Sequence, residues 1–421
     1  MATNNRVNRR QFLKAAAGTA GVMALPYFVA SSALGKGGGV AAGNRITVGF
    51  IGTGGRGHWN MRAFMAERDV EVVAVCDVDA AHRASAAAKA GLDPDSGYND
   101  FRALLVRDDI DAVVISTPDH WHVPIAAAAA RAGKDIYCEK PLSLTIAEGR
   151  QLCDIVTRRG AVFQTGSQQR SDSKFRFACG LVQGGGIGRI KLVKVGLPGS
   201  QVAGPTPVMP VPEGFDYDMW LGPAPWKPYT KARCHGKFRH IFDYSGGKFI
   251  DWGAHQLDIV QLALGAENSG PVRISGRGEF PKEGIYDTAV KYDIDFSYPN
   301  GVTVNAATRH RGGIRFEGAE GCIFVNRGII ETYPASLVKT YNPARFDKRS
   351  HVRNFVDSVK LRSHPIAGVE AGHRSATVCH LGNIAMRLAR ELHWDPAAES
   401  FINDPPAQAL ASRSRRAPWR L

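Results

Sequence analysis

A lysine and an aspartate/histidine pair are the residues of this 421-residue chain best suited to moving protons and holding charge. Lys140 stands in Glu139-Lys140-Pro141, directly after the apolar run Asp135-Ile136-Tyr137-Cys138. An ammonium at a strand end can donate to a reacting hydroxyl and hold the charge of a developing alkoxide; an ordinary surface lysine is the bland alternative. Asp251 and His255 are four residues apart, so on a helix they share one face. A near-neutral imidazole can take a hydroxyl proton as a hydride leaves, and a carboxylate can orient it or hold the substrate. The same spacing suits a metal site or a buried polar pair, but no third ligand lies nearby, so no metal is assigned.

A third feature implies a nucleotide. Gly52-Thr53-Gly54-Gly55-Arg56-Gly57 follows the apolar run Arg45-Ile46-Thr47-Val48-Gly49-Phe50-Ile51 and precedes a helical stretch. Gly52, Gly54 and Gly57 fit G-x-G-x-x-G, which gives a tight turn, close approach of a pyrophosphate and N–H donors at a helix start. Asp77 lies 20 residues past Gly57, at the end of the second apolar run, placed to accept from ribose hydroxyls. A carboxylate there repels a 2′-phosphate, which favours NAD; Arg83 is near enough in sequence to keep NADP open.

The ordered trio of G-x-G-x-x-G, E-K-P and D-x-x-x-H resembles the Gfo/Idh/MocA oxidoreductases over roughly residues 44–390. That resemblance implies an NAD(P)-dependent enzyme acting on CH–OH groups of sugars, cyclitols or related polyols. It assigns Lys140, Asp251 and His255 as the catalytic triad, with His255 as general base, Lys140 at the reacting oxygen and Asp251 positioning substrate. It places the cofactor against Gly52, Thr53, Gly54, Gly55, Arg56, Gly57, Asp77, Thr117, Pro118, Glu139 and Lys140. It places the substrate near Gln168, Gln169 and Arg170, and Arg239 and Tyr244 of the loop before Asp251 are further candidate substrate contacts. A homo-oligomer paired through the open face of the second sheet is also implied. Two rival functions share the fold: a glycosidase working by transient oxidation of the sugar ring, and a non-catalytic sugar sensor. Such glycosidases usually lack an intact E-K-P and such sensors the Lys or His, and this chain keeps all of them.

The elements that must position these residues alternate strand and helix through Cys138, which implies a parallel doubly wound sheet, the N-terminal Rossmann domain at 44–165. From 166 the character shifts. Val290, Tyr292, Ile294 and Phe296 alternate with polar residues, and Pro299-Asn300-Gly301 marks a turn before Val302, Val304 and Ala306. A C-terminal α+β domain with a large, mostly antiparallel open sheet is expected at 166–390, closed by helices at 351–362 and 369–388. Residues 198–245 are rich in Pro, Gly and aromatics without periodicity, as in a lid. There, Arg233, His235, Arg239 and Tyr244 are placed to close over a sugar, while Trp220, Trp226 and Tyr229 stack on it or anchor the loop. Asp119, His120 and His122 crowd after a strand, and capping the next helix is the reading preferred over a metal.

Charge adds an address. The chain carries +14, of which residues 1–33 hold +4 and 407–421 another +4, leaving a mildly basic body. No basic stripe interleaved with aromatics appears, which argues against nucleic acid. Asn8-Arg9-Arg10-Gln11-Phe12-Leu13-Lys14 before a small, weakly apolar stretch resembles a twin-arginine (Tat) export signal at 1–33, followed by a Gly-rich linker at 34–43. A periplasmic or otherwise exported protein served by the Tat machinery is expected, with no stable membrane insertion and with 391–421 as a tail. Free NAD is scarce outside the cytoplasm, so the cofactor is expected to be tightly bound. The seven cysteines show no C-x-x-C spacing, and buried free thiols are expected.

Overall fold

The computed structural model describes residues 40–421 except Lys348; the expected signal at 1–33 lies outside the described residues, as do residues 34–39 of the linker. Residues 40–45 form a short turn, in which Arg45 Nε donates to Val40 O at 2.9 Å. The account below concerns Ile46–Leu421, a separate unit.

Apolar runs ended by glycine or acidic residues become the first sheet: β1 (Ile46–Ile51), β2 (Val70–Cys76), β3 (Gly97–Tyr98), β4 (Ala112–Ile115), β5 (Asp135–Cys138) and β6 (Phe163–Thr165). Its order is β3-β2-β1-β4-β5-β6 and every pairing is parallel. All residues of β4 and β5 are buried, because helices cover both faces. Those helices are α1 (Gly55–Met65), α2 (Ala80–Ala90), α3 (Phe101–Leu105), α4 (Asp119–Arg131) and α5 (Ile146–Arg159). Asp79 caps α2, and Thr145 with Glu148 forms a reciprocal capping box on α5. Strand order reverses between β1 and β4, which opens a crevice at their carboxyl ends. This is the doubly wound Rossmann sheet.

The second sheet has nine strands: β7 (Ile190–Gly196), β8 (Arg273–Glu279), β9 (Lys291–Ser297), β10 (Thr303–Ala307), β11 (Gly313–Gly318), β12 (Cys322–Asn326), β13 (Ile329–Tyr333), β14 (Leu392–Asp395) and β15 (Ser400–Phe401). Only β7 with β10 is parallel; the other pairings are antiparallel. In β9, Tyr292, Ile294 and Phe296 are buried while Lys291, Asp293 and Asp295 are exposed, the period-two pattern of a sheet with one wet face. The helices of this half are α6 (Ser173–Gln183), α7 (Tyr217–Leu221), α8 (Gly247–Ala263), α9 (His351–Leu361), α10 (Val369–Leu388) and α11 (Pro405–Ala409). Phe249 and Leu257 of α8 and Val378 and Leu381 of α10 share one core with Ile294, Phe296 and Phe316 of the sheet. Among the described residues no helix is long and apolar enough to cross a membrane. All seven cysteines are free and six are buried.

Two boundaries differ from the reading of the sequence. Helix α9 returns to the first domain, where Val352, Phe355, Val356 and Val359 pack with Phe50, Phe64 and Tyr137. Segment 391–421 is no loose tail. Leu392 pairs with Ile274 to extend the sheet, and Trp394 is buried. Arg413 lies 3.6 Å over the Phe242 ring, Arg416 pairs with Asp218 at 2.5 Å, and the Trp419 ring meets Trp121 at 4.7 Å. The short two-residue alternation of Leu392 and Trp394 offered too little pattern to reveal a strand.

Candidate active site

The turn from β1 into α1 builds a phosphate cradle. Gly52 has φ +82°, and a Cβ there would stand 2.7 Å from Thr117 N. A Cβ on Gly57 would lie 1.9 Å from Gly52 O, so only glycine lets the helix start against the loop. A Cβ on Gly55 would meet nothing within 4 Å, so the face of the turn is open. Beside it runs a cavity of about 250 Å³ lined by Gly52, Gly54, Gly55, Arg56, Asp77, Thr117 and Pro118. Phe215, Met219, Trp220 and Phe238 of the 198–245 loop form its opposite wall, so that loop does cover the groove.

Asp77 ends β2 as expected. Its Oδ2 accepts from Thr53 N (2.7 Å) and Thr53 Oγ1 (3.2 Å), and its Oδ1 from Asp79 N (2.9 Å). Burial pushes this carboxyl up, but the His82 imidazole and the N–H groups of Asp79 and Thr53 outweigh it, holding Asp77 below its ordinary value. Arg83 Nη1 donates to Asp77 O at 2.6 Å, which ties it to backbone instead of a 2′-phosphate. Buried Thr117 Oγ1 has no partner among the described residues and is left to a ligand.

A second cavity of about 1080 Å³ adjoins the first, and Arg56, Ser116, Thr117, Gly236 and Arg239 line both. Lys140, Asp251 and His255 meet on its wall. Lys140, whose peptide to Pro141 is cis, donates Nζ–H to Asp251 Oδ1 and to Asp251 O, each at 2.7 Å. Asp251 also accepts from Lys248 Nζ at 2.8 Å and Arg239 Nε at 3.3 Å. Burial alone would raise its carboxyl, yet Lys140, Arg239 and Lys248 hold it far below the carboxylate range. One turn on, buried His255 leaves Nδ1 without a partner among the described residues. Burial, then the charges of Lys140 and Arg327, keep that imidazole well below its ordinary value, hence neutral.

Glu139 lines the cavity and organises its floor. Its Oε1 accepts from Arg56 Nε (2.8 Å), Asn60 Nδ2 (3.0 Å) and Gln168 Nε2 (3.1 Å). Gln168 lines the cavity, but its amide N–H groups go to Glu139 and Tyr137 Oη. Arg239 is on both cavity walls, as expected of a substrate contact.

Two assignments fail. Arg170 is fully buried in an ion pair with Asp258 (2.8 Å) and Glu267 (2.5 Å), away from the cavity. Tyr244 is fully buried too, with its hydroxyl taking a hydrogen bond from Arg233 Nη1 at 3.2 Å. Arg170 was placed by its position after a strand end and Tyr244 by the loop it lies in, and neither position says which way a side chain turns. Trp220 and Tyr229 are buried anchors, whereas Trp226 is exposed. Asp119 does not cap α4; it is the first helical residue and accepts from Ser245 Oγ at 2.5 Å. His120 contacts Trp220 O, and His122 bridges Pro141 O and Thr117 O.

Besides Gln169 and His235, which the sequence pointed to, the site holds Lys248, Trp252, Arg327, Asp79 and His82, which it did not. Lys248 stands three residues before Asp251, a same-face spacing that was available as a signal. The Gln169 amide is buried on the cavity wall with neither atom partnered among the described residues. Trp252 and Arg327 complete that wall. At the groove's rim Asp79, His82 and His235 bring ligand atoms within 4.8 Å of one another.

Comparison with known proteins agrees with this geometry. Residues 46–167 match the oxidoreductase family's NAD-binding Rossmann fold and residues 201–421 its C-terminal alpha/beta domain; the chain belongs to the Gfo/Idh/MocA oxidoreductase family. Residues 6–26 match a TAT (twin-arginine translocation) pathway signal sequence. The scyllo-inositol 2-dehydrogenase (NAD(+)) of Bacillus subtilis is 30% identical over 222 residues, 51% of this chain and 55% of that protein. A glycosyl hydrolase family 109 protein of Shewanella pealeana is 35% identical over 174 residues, 36% of this chain and 38% of that one. The chain thus spans less than two thirds of the length of these curated relatives. Among solved structures, the WlbA dehydrogenase of Chromobactrium violaceum, in complex with NADH and UDP-GlcNAcA, superposes with a TM-score of 0.66 at 17% identity, over 84% of this chain and 96% of that one. That likeness is one of fold.

Proposed function

We propose that this chain is an exported NAD-dependent oxidoreductase that moves hydride between a carbinol carbon of a sugar, cyclitol or related polyol and a tightly held nicotinamide. The observation that carries the reading is the union of a proton-accepting His255 with the Lys140–Asp251 pair, in a cavity continuous with the glycine-turn groove. The open face at Gly55 and the orphaned Thr117 hydroxyl fit a dinucleotide, which when bound supplies the hydride acceptor. Gly52 through Gly57 and the start of α1 would hold its pyrophosphate, and Asp77 would hold its adenosine ribose.

The protein's own groups handle the proton and the charge. An ammonium has three N–H donors, and Lys140 spends two on Asp251, which leaves the third for the substrate oxygen. As the carbinol C–H departs as hydride, His255 takes the hydroxyl proton and Lys140 steadies the oxygen that becomes a carbonyl. Asp251 fixes Lys140 in place. A neutral His255 can accept only because burial and the cations around it keep it unprotonated.

Export through the Tat route to the periplasm, suggested by residues 6–26, favours a protein that folds around its nucleotide and leaves the cytoplasm loaded. Purified mature protein is expected to carry stoichiometric nicotinamide nucleotide through gel filtration. Emergence as apo protein that only weakly rebinds NAD would overturn the reading. A second reading, hydrolysis by oxidation, elimination, hydration and re-reduction within one substrate, is favoured by the likeness to family 109 glycosyl hydrolases. Release of nitrophenol from nitrophenyl glycosides without added NAD separates the two.

A further inference from the structure

We propose that the substrate of this site is an acidic sugar or polyol whose anionic group is bound by Arg327. This deepens the oxidoreductase reading above by naming the substrate class of the same cavity.

The cavity wall carries six cations against five carboxylates, and the excess is concentrated around Asp251. Arg56 is neutralised by Glu139, and Arg349 at the mouth by Asp347 and Asp357. The other acids of the lining are engaged elsewhere, Glu67 with Arg353, Asp119 with Ser245 and Asp172 with the first N–H groups of α6. Lys140, Arg239 and Lys248, by contrast, share the single carboxylate of Asp251. Like charges gathered in a partly desolvated pocket repel one another, and the arrangement is relieved when an anion enters. A neutral sugar would leave it standing.

Arg327 is the cavity cation that forms no ion pair among the described residues, with Asp251, Asp172 and Glu139 as the acids near it. It projects from the turn between β12 and β13, whose tip is pinned by Asn326: Oδ1 accepts from Arg327 N at 2.8 Å and Nδ2 donates to Gly312 O at 2.9 Å. Its guanidinium lies 5.1 Å from the Trp252 ring centroid and makes no ion pair or side-chain hydrogen bond among the described residues. Neighbouring arginines of the same sheet behave differently: Arg309, Arg311 and Arg315 pair with Asp293, Glu331 and Glu317. Trp252 in turn lies 6.3 Å from the His255 ring, and Arg327, Trp252 and His255 line the same cavity. A guanidinium with its donors unspent can take a carboxylate through two parallel hydrogen bonds. On the same wall the unpartnered Gln169 amide is ready to bind ring hydroxyls.

The anion could be a uronic carboxylate or a phosphate ester, and the test separates them. Cofactor-loaded wild-type protein, Arg327→Gln and Arg327→Lys are titrated calorimetrically with D-glucuronate, D-galacturonate, glucose 6-phosphate, D-glucose and D-galactose. Nicotinamide absorbance is followed with the same five compounds. Wild type is expected to bind at least one acid about tenfold or more tighter than its neutral counterpart, with the preference shrinking as salt is added. Arg327→Gln is expected to lower the acid-to-neutral ratio about tenfold through KM rather than kcat, and Arg327→Lys to restore part of it. The proposal is overturned if no acid binds better than its neutral counterpart, or if Arg327→Gln leaves the ratio unchanged. Hydride transfer confined to neutral sugars defeats this inference alone. Arg327-dependent binding of acids without any absorbance change defeats the hydride reading and leaves this one standing.

Discussion

Helix α8 carries two buried aspartates seven residues apart, and their surroundings differ in kind. Asp258 accepts from Arg170 Nε and Nη2, each at 2.8 Å, and from Ser375 Oγ at 2.6 Å, and is sealed from solvent. Its arginine spends the rest of its donors on Glu267 and Ile366 O. Every group there has a partner within the protein. Asp251, at the cavity end, is crowded by three cations, and the imidazole one turn away has an empty nitrogen. A saturated ion pair fixes one helix against its neighbours. An unsaturated cluster on a cavity wall is arranged for something that arrives.

Three perturbations should split the two ends of α8. The largest is His255→Ala, which removes the proton acceptor and should lower turnover by about 10²–10⁴-fold. Its melting temperature should stay close to wild type, because Nδ1 has no hydrogen bond to lose; full turnover would remove His255 from the mechanism. Arg170→Ala should do the opposite, costing about 3–5 kcal/mol by leaving Asp258 charged, buried and alone. Urea unfolding measures that loss, and a wild-type midpoint would erase the contrast.

The third is pH. Burial lowers His120 and His351 to about 4 and His380 to about 3, from an ordinary 6.5. Such imidazoles stay neutral in the folded protein but take up protons when unfolded. Their stability is therefore full above pH 6.5 and is lost as pH falls toward 4. His255 has the same sign, so oxidation should hold its rate through pH 6.5 while the urea midpoint already declines. Parallel decline of both would show that the site titrates as an ordinary imidazole.

Much of this was legible before any coordinates. Continuous apolar runs declared β1, β4 and β5, strict alternation declared β9, and 3.6-residue recurrence placed α10 at residues 369–388. Lys140, Asp251 and His255 are drawn from distant positions to one cavity wall. The misses share a cause. Arg170 was judged by its place after a strand end and Tyr244 by its place in the loop before α8, yet whether a polar side chain faces a cavity or an internal partner depends on contacts far away in sequence. Arg170 meets Asp258, 88 residues on. Arg327 sits in a hairpin turn that resembles any other solvated turn, and only the folded second sheet brings it beside Trp252. Two-residue strands such as β3 and β15 are too short to carry a period.

The most direct test of the central claim compares wild type with Lys140→Ala in one mixing experiment. Each protein, its nucleotide content quantified beforehand, is mixed with an oxidisable sugar or polyol while nicotinamide absorbance is recorded through a single turnover. The predicted result is equal cofactor occupancy, with reduction in Lys140→Ala slower by about 100-fold or more. Equal rates at equal occupancy would contradict it, and the cation-rich cluster at Asp251 would then be structure of the same kind as Asp258.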